Sequence, residues 1–277
     1  MSLEKIKPLK IFGQNFLQDK NFANKIVDLL GDISGKQIVE IGAGMGALTE
    51  LLLNRNANLT AFDFDERAID YLKCKFDFTK NLKIIHSDIL KINLNDYANE
   101  KISVIGNIPY NITNDIVFWL FENCNLINRA ILTIQREVAE RYTAKPRTKD
   151  YGITTIAMQL YATAKIAFRI PASAFYPAPK VTSSVLVIDF YKETKFENID
   201  KKQLLKLIKA AFSQRRKILN NAINSYLTSR NINLESLTKL IENQSKNYLK
   251  MRAEELTLDD YINLFSLIEN NLYQNLE

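Results

Sequence analysis

The chain has 277 residues, is 47% hydrophobic and 25% charged, and carries a formal net charge of +6. That length exceeds what one hydrophobic core usually serves, so a large domain joined to a smaller one is expected. Four classes are excluded: no apolar run approaches the ~18 residues of a membrane span, residues 1–10 lack the apolar core of a signal peptide, and Cys74, Cys124 and the single histidine, His86, have neither metal-ligand spacing nor triad partners.

In chain order, the apolar, β-branched run at residues 37–41 predicts a first buried strand, and residues 58–64, 82–86, 102–105 and 129–134 predict four more. Between them, residues 48–54, 66–76 and 114–123 space apolar side chains as helices do. Such alternation implies an α/β fold with a mostly parallel, doubly wound sheet. Residues 164–170 and 183–191 predict a closing antiparallel hairpin at the sheet edge, joined by the proline-bearing loop 171–180. From Lys201 onward apolar residues recur at three and four positions, so helices alone are expected, with a boundary near residues 192–200. The expected division is therefore 1–195 for the α/β domain and 196–277 for a small all-α domain.

The glycines Gly42, Gly44 and Gly46 follow the first strand, where missing side chains permit a tight turn and close approach of a ligand to backbone. Asp63 ends the second strand and can accept hydrogen bonds from ribose hydroxyls, and Asp65 fits a helix cap. Asp88, after the third strand, can accept a cofactor adenine amine. After the fourth strand stands Asn107-Ile108-Pro109-Tyr110. The exocyclic amine of adenine is a poor nucleophile because its lone pair is delocalised into the ring. An Asn side-chain oxygen and the carbonyl of the residue before a proline supply two acceptors for its hydrogens, and a Tyr ring stacks on the base. These features favour S-adenosylmethionine over a dinucleotide, and adenine-N6 methyl transfer as the reaction. Residues 201–252 hold twelve Lys or Arg against two acids, a block suited to a polyanion.

Seven segments in order resemble the ribosomal RNA adenine-N6,N6-dimethyltransferases of the small-subunit type, relatives of the erythromycin-resistance methyltransferases. They are Phe12-Gly-Gln-Asn-Phe-Leu17, Val39-Glu-Ile-Gly-Ala-Gly44, Ser87-Asp-Ile-Leu90, Asn107-Ile-Pro-Tyr-Asn111, Gln135-Arg-Glu-Val-Ala-Glu-Arg141, Phe175-Tyr-Pro-Ala-Pro-Lys-Val-Thr-Ser183 and Phe212-Ser-Gln-Arg-Arg-Lys217. The resemblance implies a Rossmann-like methyltransferase with a mostly parallel seven-stranded sheet. It implies that Gln14, Asn15 and Leu17 fold over S-adenosylmethionine, that Gly42, Gly44, Asp63, Asp88 and Asn107 complete its site, and that Asn107, Ile108, Pro109 and Tyr110 handle the target amine with Phe175 on the far side of the base. The implied substrate is a pair of adjacent adenines in the 3′-terminal hairpin loop of 16S rRNA within a 30S precursor. Lys201, Lys202, Lys206, Lys209, Arg215, Arg216 and Lys217 would contact phosphates. A cytoplasmic monomer needing no metal is expected.

Asp63 stands where many relatives have Glu, Ile108 where Leu is commoner, and Asp150-Tyr-Gly-Ile-Thr-Thr-Ile lacks a basic residue that often follows Tyr-Gly, which puts an RNA contact there in doubt. Two other readings stay open within the chemistry, large-subunit rRNA of the resistance type and DNA adenine methylation. A third is an assembly factor in which catalysis is secondary.

Overall fold

The computed structural model describes residues 6–9, 13–77, 79–98, 100–192, 196, 198–242, 244 and 246–274. Backbone contacts divide them into two compact units, one of residues up to Ala139 with Ala162–Lys192, the other of Glu140–Tyr161 with the residues after Lys192. The expected division at 195/196 thus differs over one segment. Residues 140–161 go with the helical unit because Tyr151, Ile156 and Leu160 are buried in its apolar cluster and the Tyr151 hydroxyl donates to Leu256 O at 2.8 Å. Residue 195 and Phe12, both named above, lie outside the described residues.

The sheet unit holds nine strands among its described residues: β1 (Phe16–Leu17), β2 (Gln37–Ile41), β3 (Asn58–Asp63), β4 (Leu82–His86), β5 (Ile102–Asn107), β6 (Ile127–Gln135), β7 (Ala162–Ile170), β8 (Phe175–Tyr176) and β9 (Ser183–Phe190). Seven form one sheet in the order β4-β3-β2-β5-β6-β9-β7, parallel from β4 to β6 and antiparallel at β9 and β7. The expected hairpin is present, with β7 alone at the edge and β9 between β6 and β7. Such parallel pairing suits strands buried on both faces, and β5 reads Ile-Ser-Val-Ile-Gly-Asn with Ile102, Val104 and Ile105 fully enclosed. The chain winds outward from β2 to β4, then returns to place β5 on the other side of β2. That reversal opens a crevice at the carboxyl ends of β2 and β5, where open α/β sheets bind ligands.

Helices α1 (Lys20–Asp28), α2 (Ala47–Leu53), α3 (Glu66–Lys75) and α4 (Thr113–Glu122) cover the sheet. Asp19 starts α1 by accepting from the N–H groups of Asn21 and Phe22, and Ala23, Ile26 and Val27 form its buried stripe. Leu17, Ile26, Val27, Leu48, Leu52, Ile105, Ile131 and Val185 share one apolar cluster. Enclosing an aliphatic side chain of this kind contributes about 1.5–3 kcal/mol. The two-stranded pair of β1 with β8 ties the N-terminal segment to the loop after β7.

Helix α5 (Arg136–Tyr142) follows β6, and the helical unit contains α6 (Ile153–Tyr161), α7 (Lys201–Ser213), α8 (Leu219–Ala222), α9 (Asn224–Ser229), α10 (Leu234–Glu242) and α11 (Leu258–Gln274). Asp200 caps α7 through Gln203 N–H; Leu204, Leu207, Ile208 and Ala211 are its buried stripe. Lys202, Lys206 and Lys209 are exposed, spaced to share the opposite face.

Candidate active site

The turn after β2 needs its glycines. Gly42 and Gly44 have φ of +70° and +53°, and a Cβ on Gly44 would stand 3.0 Å from the Phe16 ring. The same turn brings Gly44 N–H to the Asp63 carboxylate, which accepts from it at 2.7 Å with one oxygen and from Asp65 N–H at 2.8 Å with the other. Asp63 is 9% exposed, and burial raises its pKa despite those hydrogen bonds. Glu40, one residue before β2 ends, is 1% exposed and accepts from the Thr49 hydroxyl at 2.6 Å. Burial pushes its carboxyl up to about 8.

Asp65 does more than cap α3. Its carboxylate accepts from Arg67 N–H at 3.1 Å, from the Arg67 guanidinium at 2.5 Å and from the Gln14 amide at 2.8 Å. Burial alone would raise its pKa, but the donors from Arg67 and Gln14 hold it below the usual carboxylate range. The Gln14 oxygen in turn accepts from Leu9 N–H at 3.0 Å. A line of hydrogen bonds therefore runs from the N-terminal segment through Gln14 and Asp65 to Asp63 and the glycine turn.

On the β5 side, the Asn107 side-chain nitrogen donates to Asn15 O at 2.8 Å. That bond orients the planar amide, whose oxygen can accept from a ligand. Ile108 N–H donates to Thr133 O at 3.0 Å, which fixes the peptide between Asn107 and Ile108. The Ile108 side chain is buried, and half-buried Tyr110 follows, its hydroxyl 2.6 Å from Ser183 Oγ. Asp88 begins the turn after β4 by accepting from Leu90 N–H at 3.1 Å.

One cavity of about 300 Å³ gathers these groups: Gln14, Asn15, Gly42, Gly44, Asp63, Asp88, Asn107, Ile108, Pro109 and Tyr110 all line it. Its lining also includes Asp65 and the 59% exposed ring of Phe64, but, among the described residues, no lysine or arginine. Asp65 is paired with Arg67, while Asp63 and Asp88, with no cation on the lining itself, suit a positively charged ligand better than a pyrophosphate.

Two expected members do not line the cavity itself. Leu17 is buried and lines an adjoining space of about 30 Å³ that shares Gly42, Gly44 and Asn107 with the cavity. Phe175, expected on the far side of the base, is 4% exposed within the apolar cluster of Leu17, Ile170 and Ala174, and Tyr176 beside it is the exposed ring at 55%. The physical reason is strand alternation in β8, which turns successive side chains to opposite sides.

The basic residues of the helical unit also separate. Lys202, Lys206, Lys209, Arg216 and Lys217 are exposed, whereas the Lys201 ammonium lies 4.7 Å from the centre of the Tyr161 ring. Arg215 departs from the expected phosphate role. Its Nε donates to Glu254 at 2.5 Å and its terminal nitrogens donate to Lys149 O and Thr148 O at 2.7 and 2.9 Å, so its guanidinium is engaged within the protein.

Sequence reasoning missed the links from Gln14 to Asp65 and from Tyr110 to Ser183. Neither has a local signal, since the partners are 51 and 73 residues apart. Among the described residues no group of His, Cys, Asp and Glu could hold a metal ion.

A sequence profile described as Ribosomal RNA adenine dimethylase matches residues 7–269. The chain is 36% identical over 267 residues to the Ribosomal RNA small subunit methyltransferase A of Mycoplasma mycoides, covering 95% of this chain and 98% of that protein. It is 38% identical over 258 residues to the protein of the same name from Streptococcus sanguinis, covering 91% and 89%. In fold it is similar to a dimethyladenosine transferase from Plasmodium falciparum, with a TM-score of 0.78 and 24% identity over 92% of this chain and 98% of that one. It is also similar to the 23S rRNA methyltransferase ErmE, with a TM-score of 0.68 and 20% identity over 92% and 100%.

Proposed function

The chain belongs to the ribosomal RNA adenine dimethylase family, whose methyl donor is S-adenosylmethionine, and we propose that it dimethylates N6 of two adjacent adenines in the 3′-terminal hairpin loop of 16S rRNA within a 30S precursor. The observation that carries the reading is the Asn107 amide. Its nitrogen donates to Asn15 O, which orients the amide, and its oxygen serves as an acceptor beside Tyr110 in a cavity lined by acids.

S-adenosylmethionine, when bound, supplies an electrophilic methyl group on a cationic sulfur. The residues present fit it: Asp63 offers its remaining lone pairs to ribose hydroxyls, Asp88 receives the adenine amine, and Gly42 and Gly44 let the ligand approach backbone. Gln14 and Asn15 close over that half of the cavity. The carboxylates compensate the cation, as does Glu40, which ionises beside a positive charge.

Asn107 Oδ1 and the Ile108 carbonyl accept the two hydrogens of the target amine. This draws the nitrogen lone pair out of conjugation and holds it toward the donor side of the cavity. Tyr110 stacks on the ring, a contact of about 1–3 kcal/mol for an unstacked base. These contributions are positioning and oriented dipoles, and they need no covalent intermediate with the protein. An amine carrying one methyl keeps one hydrogen for these acceptors, so a second round on the same base follows. A hairpin-loop adenine suits the site because extruding it from a loop costs less than from a duplex.

Lys202, Lys206, Lys209, Arg216 and Lys217 supply phosphate contacts, with Lys201 secondary, and the helical unit is the part that engages rRNA. The protein acts as a monomer in the cytoplasm. No helix among the described residues is long and apolar enough to cross a membrane.

The test is transfer of labelled methyl from S-adenosylmethionine to 30S particles lacking their dimethyladenosines, with free 23S RNA, 50S precursors and DNA in parallel. The expected result is selective dimethylation of the two loop adenines, lost in Asn107→Ala. Label confined to 23S RNA or DNA would replace the substrate, and tight 30S binding without transfer would replace the enzyme reading with an assembly factor.

A further inference from the structure

We propose that Ser183 is a positioning residue for methyl transfer, acting by tethering the hydroxyl of Tyr110 so that the ring presents a fixed face to the target base. The inference rests on the proposed stacking role of Tyr110.

Ser183 is fully buried at the start of β9. It pairs with Gln135 of β6 on one side and with Ile170 of β7 on the other, so its backbone is held from both sides. Tyr110 lies on a different element. It begins a short turn, Tyr110–Ile112, directly after Pro109 and leading into α4, and no side chain caps that turn. Its ring is carried on rotatable bonds at the cavity wall. The 2.6 Å bond between Tyr110 Oη and Ser183 Oγ joins the ring at the cavity wall to a strand paired on both sides, across 73 residues of sequence.

Stacking requires only the face of an aromatic ring, so phenylalanine would serve that purpose by itself. The hydroxyl adds a restraint at the far end of the ring, opposite its attachment point, where it most limits rotation and tilt. A neighbouring hydroxyl gives the contrast: Ser184 Oγ is buried without a hydrogen-bond partner. Burial at the start of β9 therefore does not by itself supply a hydroxyl with a partner, and the Ser183 pairing is a specific one. Burial raises the Tyr110 pKa while the serine opposes that shift, consistent with a neutral phenol sharing a hydrogen bond. A ring fixed before the base arrives loses less freedom on binding, and the base it holds is placed more accurately against Asn107 Oδ1.

The experiment compares Ser183→Ala, Ser183→Thr, Tyr110→Phe and the Ser183→Ala, Tyr110→Phe double variant in single-turnover methylation of 30S particles, with S-adenosylmethionine affinity measured on each. Expected are a fall of about tenfold in the transfer rate for Ser183→Ala and for Tyr110→Phe, as one buried hydrogen bond allows. The double variant should be no slower than either single one, Ser183→Thr should recover most of the rate, and donor affinity should stay unchanged throughout. Equal further loss from Ser183→Ala in the Tyr110→Phe background would overturn the proposal, because the serine would then act elsewhere. Full activity of Tyr110→Phe would overturn it as well, even if Ser183→Ala does not fold. An unaltered protein that binds S-adenosylmethionine but methylates no adenine would remove the stacking role, and the inference with it, at an earlier step.

Discussion

In the sheet unit acids gather at a cavity, whereas in the helical unit bases are exposed on the surface. Asp63, Asp65 and Asp88 line the cavity with no cationic residue among its described walls, and Glu40 lies buried behind the glycine turn. Lys202, Lys206, Lys209, Arg216 and Lys217 are exposed. The difference matches two reactants of opposite charge. In the proposed reaction a small sulfonium ligand suits short hydrogen bonds in a pocket, while an extended RNA suits counterion release over many weak contacts. Single substitutions should therefore cut deeply in the first region and shallowly in the second.

The deepest cut falls at Asn107. Asn107→Ala removes an acceptor for the target amine and frees Asn15 O, and single-turnover transfer at saturating S-adenosylmethionine should fall about 10²–10³-fold, as for loss of one oriented catalytic dipole. If saturating donor restored the rate, Asn107 would belong to the donor half alone and the division of the cavity would need redrawing. Asp63→Ala comes next. It strands Gly44 N–H and Asp65 N–H, each now bonded to the carboxylate, and calorimetry should find donor affinity weakened by about ten- to a hundredfold. The rate at saturation should change far less, and an equal loss in both would contradict a pure binding role.

Glu40 tests the acidic cavity through pH. Its folded pKa of about 8 lies above the ordinary 4.5. Protonation is thus favoured in the folded state, so the contribution to stability is fully present below pH 4.5 and is lost as pH rises toward 8. Glu40→Gln carries no such loss. The variant should gain on the unaltered protein by about 2 kcal/mol between pH 5 and 7 in denaturant melts without ligand. Saturating S-adenosylmethionine should shrink that gain, because a nearby cation favours the ionised carboxyl. A gain independent of pH would mean that Glu40 is charged in the folded protein.

Legibility followed the range of the interaction. The strands and glycine turn could be read because their patterns are local: apolar runs of five or six residues, an acid at the end of β3, a proline after Asn107-Ile108. Helix α1 was not among the expected elements although Asp19 and the stripe at Ala23, Ile26 and Val27 signal it, because three apolar positions over so short a span make a weak periodicity. β1 and β8 are two residues each and exist only through their mutual pairing, which no local pattern reveals. Phe175 illustrates the same limit. Its family segment marks it as an aromatic near the site, but which side of a two-residue strand faces the core is decided by the partner strand. Asp65 was legible as a cap and illegible as the partner of Gln14, since that bond spans 51 residues.

Arg215 supplies the smallest expected effect and the sharpest contrast within the basic block. Its charge counts toward the excess of Lys and Arg, yet its donors go to Glu254, Thr148 O and Lys149 O. Both members of the ion pair are partly exposed, at 37% and 29%, so screening limits the contribution, and Arg215→Ala should lower stability by about 1 kcal/mol. Its effect on the salt dependence of particle binding should be negligible. The exposed pair Arg216→Ala with Lys217→Ala should do the reverse, leaving the melting temperature in place and reducing the salt slope by about one for each phosphate no longer neutralised. Measuring both quantities on both variants separates a base that holds the protein together from the bases proposed to hold RNA. A salt slope lowered by Arg215→Ala would mean that its guanidinium leaves Glu254 for a phosphate when rRNA binds.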